Sequence, residues 1–138
     1  MTKNNSEKIR EKVRERYAGI AASGKGGCGC TPSCCSPKAP SVKAMSARVG
    51  YSKKDLEAAP EESNMGLGCG NPQAIAGLKK GEVVLDLGAG GGFDCFLAAR
   101  QVGPRGRVIG VDMTPEMIAK ARANTRKGGF KNVEFRLG

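Results

Sequence analysis

From Glu82 onward the chain alternates in a regular way: an apolar run VVLDL at 83 to 87, a glycine-rich turn, a helical segment over Phe93 to Val102, the run RVIGVD, a second helical segment and NVEFRL. Short apolar runs bounded by turns, each followed by a helical period, are the pattern of buried strands joined by crossover helices. Thr114 as N-cap and Pro115 at the first helical position open the second helix, which runs to about Lys127. Strands and helices at this spacing imply a parallel sheet with right-handed crossovers. The expected fold is α/β, the first half of a Rossmann-like doubly wound sheet. Three strands of such a half order as 3-2-1, which leaves the first strand, the one carrying the glycine turn, at an open apolar edge. The chain therefore reads as truncated, with its remaining strands missing or a partner covering the edge, and residues 1–138 alone are expected to be prone to aggregation.

The turn reads Asp86-Leu87-Gly88-Ala89-Gly90-Gly91-Gly92-Phe93-Asp94. Glycines let the backbone turn tightly and let a ligand approach the helix N-terminus, whose free N–H groups favour negative charge. The second strand ends in Asp112, placed 20 residues after Gly92, where a carboxylate can accept from both ribose hydroxyls. Together these point to an adenosine-type cofactor rather than to a plain turn followed by a surface acid. Dinucleotide sites use G-x-G-x-x-G, whereas here the glycines fall at 88, 90 and 92 with Phe93 next. That arrangement resembles motif I of the class I S-adenosylmethionine methyltransferases, D-x-G-x-G-x-G beginning at Asp86. The resemblance implies that Asp86 serves the methionine amino group, that the backbone of Gly88, Gly90 and Gly92 lies under the methionine portion, that Asp112 holds the ribose and that Met113 flanks the adenine.

Upstream, the chain divides by composition. Residues 1–22 are expected to be a basic amphipathic helix, with Ile9, Val13, Tyr17 and Ile20 at helical spacing among charges. Residues 23–60 are a Cys/Gly/Ser/Pro-rich linker with a short helix from about 51, and 61–138 form the partial S-adenosylmethionine-binding domain. Asn71 and Pro72 mark the start of a further helix expected to run through Lys80 and stop at Gly81. Residues 1–54 hold twelve Lys or Arg against three Glu, so most of the net charge of +10 is regional. With no recognition module and six aromatic residues, none of them Trp, that charge reads as a solvated arm and no nucleic-acid partner is expected. No apolar run suits a signal peptide or a membrane span, so the expected location is the cytoplasm, where six cysteines are thiols rather than a disulfide framework.

Four of those thiols crowd into GCGCTPSCCS, at Cys28, Cys30, Cys34 and Cys35; Cys69 stands between glycines in LGCGNP, and Cys95 lies on the first crossover helix beside Phe96. A vicinal Cys34-Cys35 pair is awkward for tetrahedral zinc. The open alternatives are a soft ion or metalloid held by few thiolates, redox chemistry between neighbouring sulfurs, or a tail whose cysteines are incidental. Cys95 reads as a buried core residue. The absence of histidine removes Ser-His and Cys-His nucleophiles and imidazole metal ligands.

NMGLGCGNP from Asn64, followed by VVLDLGAGGGFDCFLAARQVGPRGRVIGVDMTPEMI, resembles the bacterial arsenite methyltransferases over residues 28 to 138. The resemblance implies methyl transfer from S-adenosylmethionine to trivalent arsenic, presented as arsenite or its glutathione conjugate, with glutathione or thioredoxin as thiol reductant. It implies that Cys35, or alternatively Cys34, and Cys69 are arsenic-binding thiolates. The family's remaining arsenic-binding cysteines lie beyond Gly138. Two other functions stay open at this point: a methyltransferase acting on carbon, oxygen or nitrogen, and a thiol-rich metal- or metalloid-binding module.

Overall fold

The computed structural model describes residues 4–23, 40–68 and 70–138. Its elements follow in the order α1 (Asn5–Ser23), α2 (Val42–Arg48), α3 (Lys53–Ala58), a 3-10 turn (Glu61–Ser63), α4 (Gln73–Ala76), β1 (Val83–Leu87), α5 (Phe93–Val102), β2 (Arg107–Asp112), α6 (Pro115–Gly128) and β3 (Val133–Leu137).

The three strands are parallel and ordered β1-β2-β3, with Val84 beside Val108 beside Val133 and Asp86 beside Gly110 beside Phe135. Alternation along each strand sends Val84, Val108 and Phe135 into the core under α5 and α6. The opposite face is open: Val83, Leu85 and Leu87 are 70%, 60% and 73% exposed. Among the described residues β1 pairs with β2 alone, so the apolar edge expected from the sequence is present.

Helix α5 is the centre of the core. Cys95, Phe96, Leu97, Ala98, Ala99 and Val102 are all buried, because the sheet covers one side and Tyr51, Leu56, Ala58 and Ala59 cover the other. The Phe96 ring stacks at 4.7 Å on Phe130 and meets Phe135 edge-on at 5.8 Å. Burying such a ring is worth roughly 2–3 kcal/mol.

The segment before the sheet is more structured than its composition suggests. Helix α2 was not foreseen; Ser41 caps it by accepting from the Ala44 N–H at 3.2 Å. Helix α3 begins with a capping box between Ser52 and Asp55. The helix expected through Lys80 is a single turn instead, ending at Ala76, because Gly77 takes up a left-handed conformation with φ 57° and turns the chain toward β1. The Asn71 side chain does accept from the Gln73 N–H at 3.1 Å. Of the apolar stripe on α1 only Ile20 is buried, against Met65 and Met117, while Ile9 stays 56% exposed. Among the described residues no helix is long and apolar enough to cross a membrane.

Candidate functional site

At the C-terminal end of β1 and β2 lies a cavity of about 830 Å³, within the size range of small-molecule sites. Its floor is the glycine turn, Gly88 to Gly91; its far side is Asp112, Met113 and Met117; its roof is the stretch from Met45 to Gly68. The roof presses closely on the floor: a Cβ at Gly91 would stand 3.0 Å from the Ser63 carbonyl oxygen.

Hydrogen bonds fix the turn to the second strand. The Gly88 and Ala89 N–H groups both donate to the Val111 carbonyl, at 2.7 and 3.0 Å. Asp112 accepts from the Gly90 N–H through Oδ2 at 3.0 Å and from the Thr114 N–H through Oδ1 at 2.8 Å. A carboxylate has about four lone-pair sites, so both oxygens remain able to accept from a ligand while their position is set by backbone. Gly90 can aim its N–H this way because its φ is 53°, a conformation costly to other residues.

Gly92 has a different task from its neighbours. It is outside the cavity wall, and a Cβ there would lie 2.6 Å from the Phe135 ring and 2.9 Å from the Phe96 ring. It lets the start of α5 pack directly on β3. Asp86 is also off the cavity wall. Half-buried, it accepts through Oδ2 from the Cys95 thiol at 3.2 Å. Burial, with the nearby Asp86 charge, holds the Cys95 thiol far above the ordinary range, so it is an unreactive core thiol.

The sequence reading passed over two residues that the structure puts on the wall, Tyr51 and Asp94. The Tyr51 hydroxyl donates to Asp94 Oδ1 at 2.7 Å and lies 3.0 Å from the Gly70 carbonyl oxygen. Burial raises the Asp94 carboxyl above its usual range, Tyr51 opposes that shift, and Asp86 adds to it. The Tyr51 hydroxyl is itself pushed up, first by burial and then by Asp94, and so stays a donor. No Lys or Arg is among the described lining residues, in a chain of net charge +10; the ionisable acids on the wall are Asp94 and Asp112. The arrangement suits a largely apolar ligand that carries positive charge and hydroxyl groups.

Of the expected site residues, Gly88, Gly90, Asp112 and Met113 are brought together on this wall. Cys34, Cys35 and Cys69 lie outside the described residues, although Gly68 beside Cys69 lines the cavity.

Residues 78–138 match the family model described as a methyltransferase domain. The chain is 55% identical over 139 aligned residues to an arsenite methyltransferase of Halobacterium salinarum, an alignment that takes in 96% of this chain and 35% of that protein. It is 46% identical over 83 residues to an arsenite methyltransferase of Aquipseudomonas alcaligenes, covering 57% of this chain and 23% of that protein. A solved arsenic(III) S-adenosylmethionine methyltransferase from Chlamydomonas reinhardtii aligns at 37% identity with a TM-score of 0.45, covering 72% of this chain and 32% of that one. The chain thus spans about a third or less of the length of these relatives.

Proposed function

We infer that this chain, an arsenite methyltransferase homologue carrying part of a methyltransferase domain, belongs to an enzyme that transfers methyl from S-adenosylmethionine to thiolate-bound trivalent arsenic. The observation that carries the arsenic assignment is 55% identity to an arsenite methyltransferase across 96% of the chain. The cofactor half of the reading rests on the cavity, whose volume, acid-only ionisable wall and glycine floor fit S-adenosylmethionine.

In this reading Asp112, already oriented by the Gly90 and Thr114 N–H groups, accepts from the ribose hydroxyls. Met113 flanks the adenine, and the backbone at Gly88 and Gly90 runs beneath the methionine portion, while Gly92 lets α5 start close against β3. Asp86 and Asp94 make the methionine end negative. When bound, S-adenosylmethionine supplies an electrophilic methyl on a sulfonium. The acceptor is trivalent arsenic, a thiophilic substrate held by Cys69 and by Cys35 or Cys34, together with thiols of the remainder of the enzyme. An arsenic lone pair needs no general base, in keeping with a chain that has no histidine. The residues here contribute orientation, water exclusion and thiolate binding. Transfer of the methyl to the lone pair would release S-adenosylhomocysteine and leave arsenic formally pentavalent. Two thiols going to a disulfide would return it to the trivalent state, glutathione or thioredoxin would reduce that disulfide, and the proposed setting is the cytoplasm.

Arsenite titration of the chain and of Cys35→Ser, Cys34→Ser and Cys69→Ser tests the thiol assignment. Weaker binding in Cys69→Ser and in one of the vicinal pair is the expected result. Unchanged affinity in all three removes arsenic from this part of the molecule and leaves a methyltransferase with another acceptor.

A further inference from the structure

We propose that the Asp94 carboxylate, held by the Tyr51 hydroxyl, is the group that receives the methionine ammonium of the cofactor, with Asp86 acting only from behind through its charge. The proposal rests on the cofactor reading above and names the residue that anchors one end of it.

Placement separates the two acids. Asp94, in the first turn of α5, is on the cavity wall; Asp86 is not, and one of its oxygens is engaged by the Cys95 thiol, whose residue is 0% exposed. A ligand lying along the glycine turn with its ribose at Asp112 presents its other end toward the start of α5, where Asp94 stands.

Charge adds a second argument, that this end of the cavity lacks a cation. A half-buried carboxylate is normally paired with a cation, yet among the described residues no Lys or Arg forms an ion pair with Asp94. Its charged neighbour is a second acid, Asp86. Acceptors are in excess here, for the Gln73 amide, which donates to the Asp94 carbonyl at 3.2 Å, leaves its own Oε1 buried without a partner among the described residues. An ammonium brings three donors and a positive charge, and so answers the want of a cation at this pair of acids. Tyr51 is suited to hold the acid: its ring packs edge-on against Phe93 at 5.0 Å, and its hydroxyl occupies one carboxylate oxygen while leaving acceptor capacity on the group.

Calorimetric titration of the chain with S-adenosylmethionine, S-adenosylhomocysteine and 5′-methylthioadenosine tests this, because the first two carry the ammonium and the third does not. Asp94→Asn should weaken the first two by at least about tenfold, the scale of one charge-assisted hydrogen bond, and leave 5′-methylthioadenosine within about twofold. Tyr51→Phe, which keeps the charge, should produce the same selective pattern with a smaller loss, and Asp86→Asn should lose less than Asp94→Asn. Equal loss of all three ligands in Asp94→Asn, or no loss, overturns the proposal. If the unsubstituted chain binds none of the three, the cofactor reading itself falls; if it binds 5′-methylthioadenosine alone, the adenosine site stands and the ammonium contact is refuted.

Discussion

The Tyr51 hydroxyl donates to Asp94 Oδ1 across 2.7 Å and 43 residues of sequence, joining the segment that roofs the cavity to the helix that begins beside its floor. The bond holds an acid in a place that water only partly reaches.

Asp94 should lower the stability of the ligand-free protein at neutral pH. Burial raises its carboxyl in the folded state above the ordinary value of 3.8. The folded state therefore holds the proton more tightly than the unfolded chain, and the stability associated with this group falls as pH rises through that raised value. Asp94→Asn, whose amide oxygen can still accept from Tyr51, is expected to melt at a higher temperature than the unsubstituted chain at pH 7. The difference should shrink as pH falls toward 3.8. Paired thermal melts across pH 4 to 7 check it, and a lower melting temperature for the variant at pH 7 would contradict it.

Gly92→Ala and Gly90→Ala should separate folding from binding. A methyl at Gly92 meets two buried rings below 3.0 Å and a φ of 90°, so a loss of about 2–4 kcal/mol is expected. A methyl at Gly90 meets nothing within 4 Å, leaving only the left-handed backbone cost of roughly 1–2 kcal/mol. Urea unfolding of both variants measures the difference; equal losses would mean that Phe135 and Phe96 yield to the methyl at no cost.

Cys95 should behave unlike a functional thiol. It is fully buried, its S–H is held by Asp86, and its ionisation is pushed far up by burial. Iodoacetamide at pH 8 should leave it unmodified in the folded chain and modify it after denaturation, as read by peptide mass spectrometry. Rapid labelling of the folded protein would show that α5 opens readily.

The strands, α5 and α6 were legible in the sequence to within a residue or so, since a continuous apolar run and a capped helical period each specify a local structure that the sheet then reinforces. Gly77 was legible in principle, as a glycine that could end α4 early, but its left-handed conformation depends on where β1 must begin. Helix α2 escaped notice because VKAMSAR has a weak apolar period and owes its place to Ser46, buried and hydrogen-bonded to Asn64 at 3.1 Å. In α1 the period was real, yet Ile20 is its one buried member.

The sequence by itself determined the class of fold, the position of the glycine turn and the acid at Asp112, because each follows from residues close together in the chain. Only the tertiary structure decided which acid reaches the cavity wall. Asp86 and Asp94 sit at the two ends of one turn, and no local pattern says that the first accepts from the Cys95 thiol while the second reaches the cavity wall and meets Tyr51. That choice depends on a contact across 43 residues, made when the roof closes over the turn.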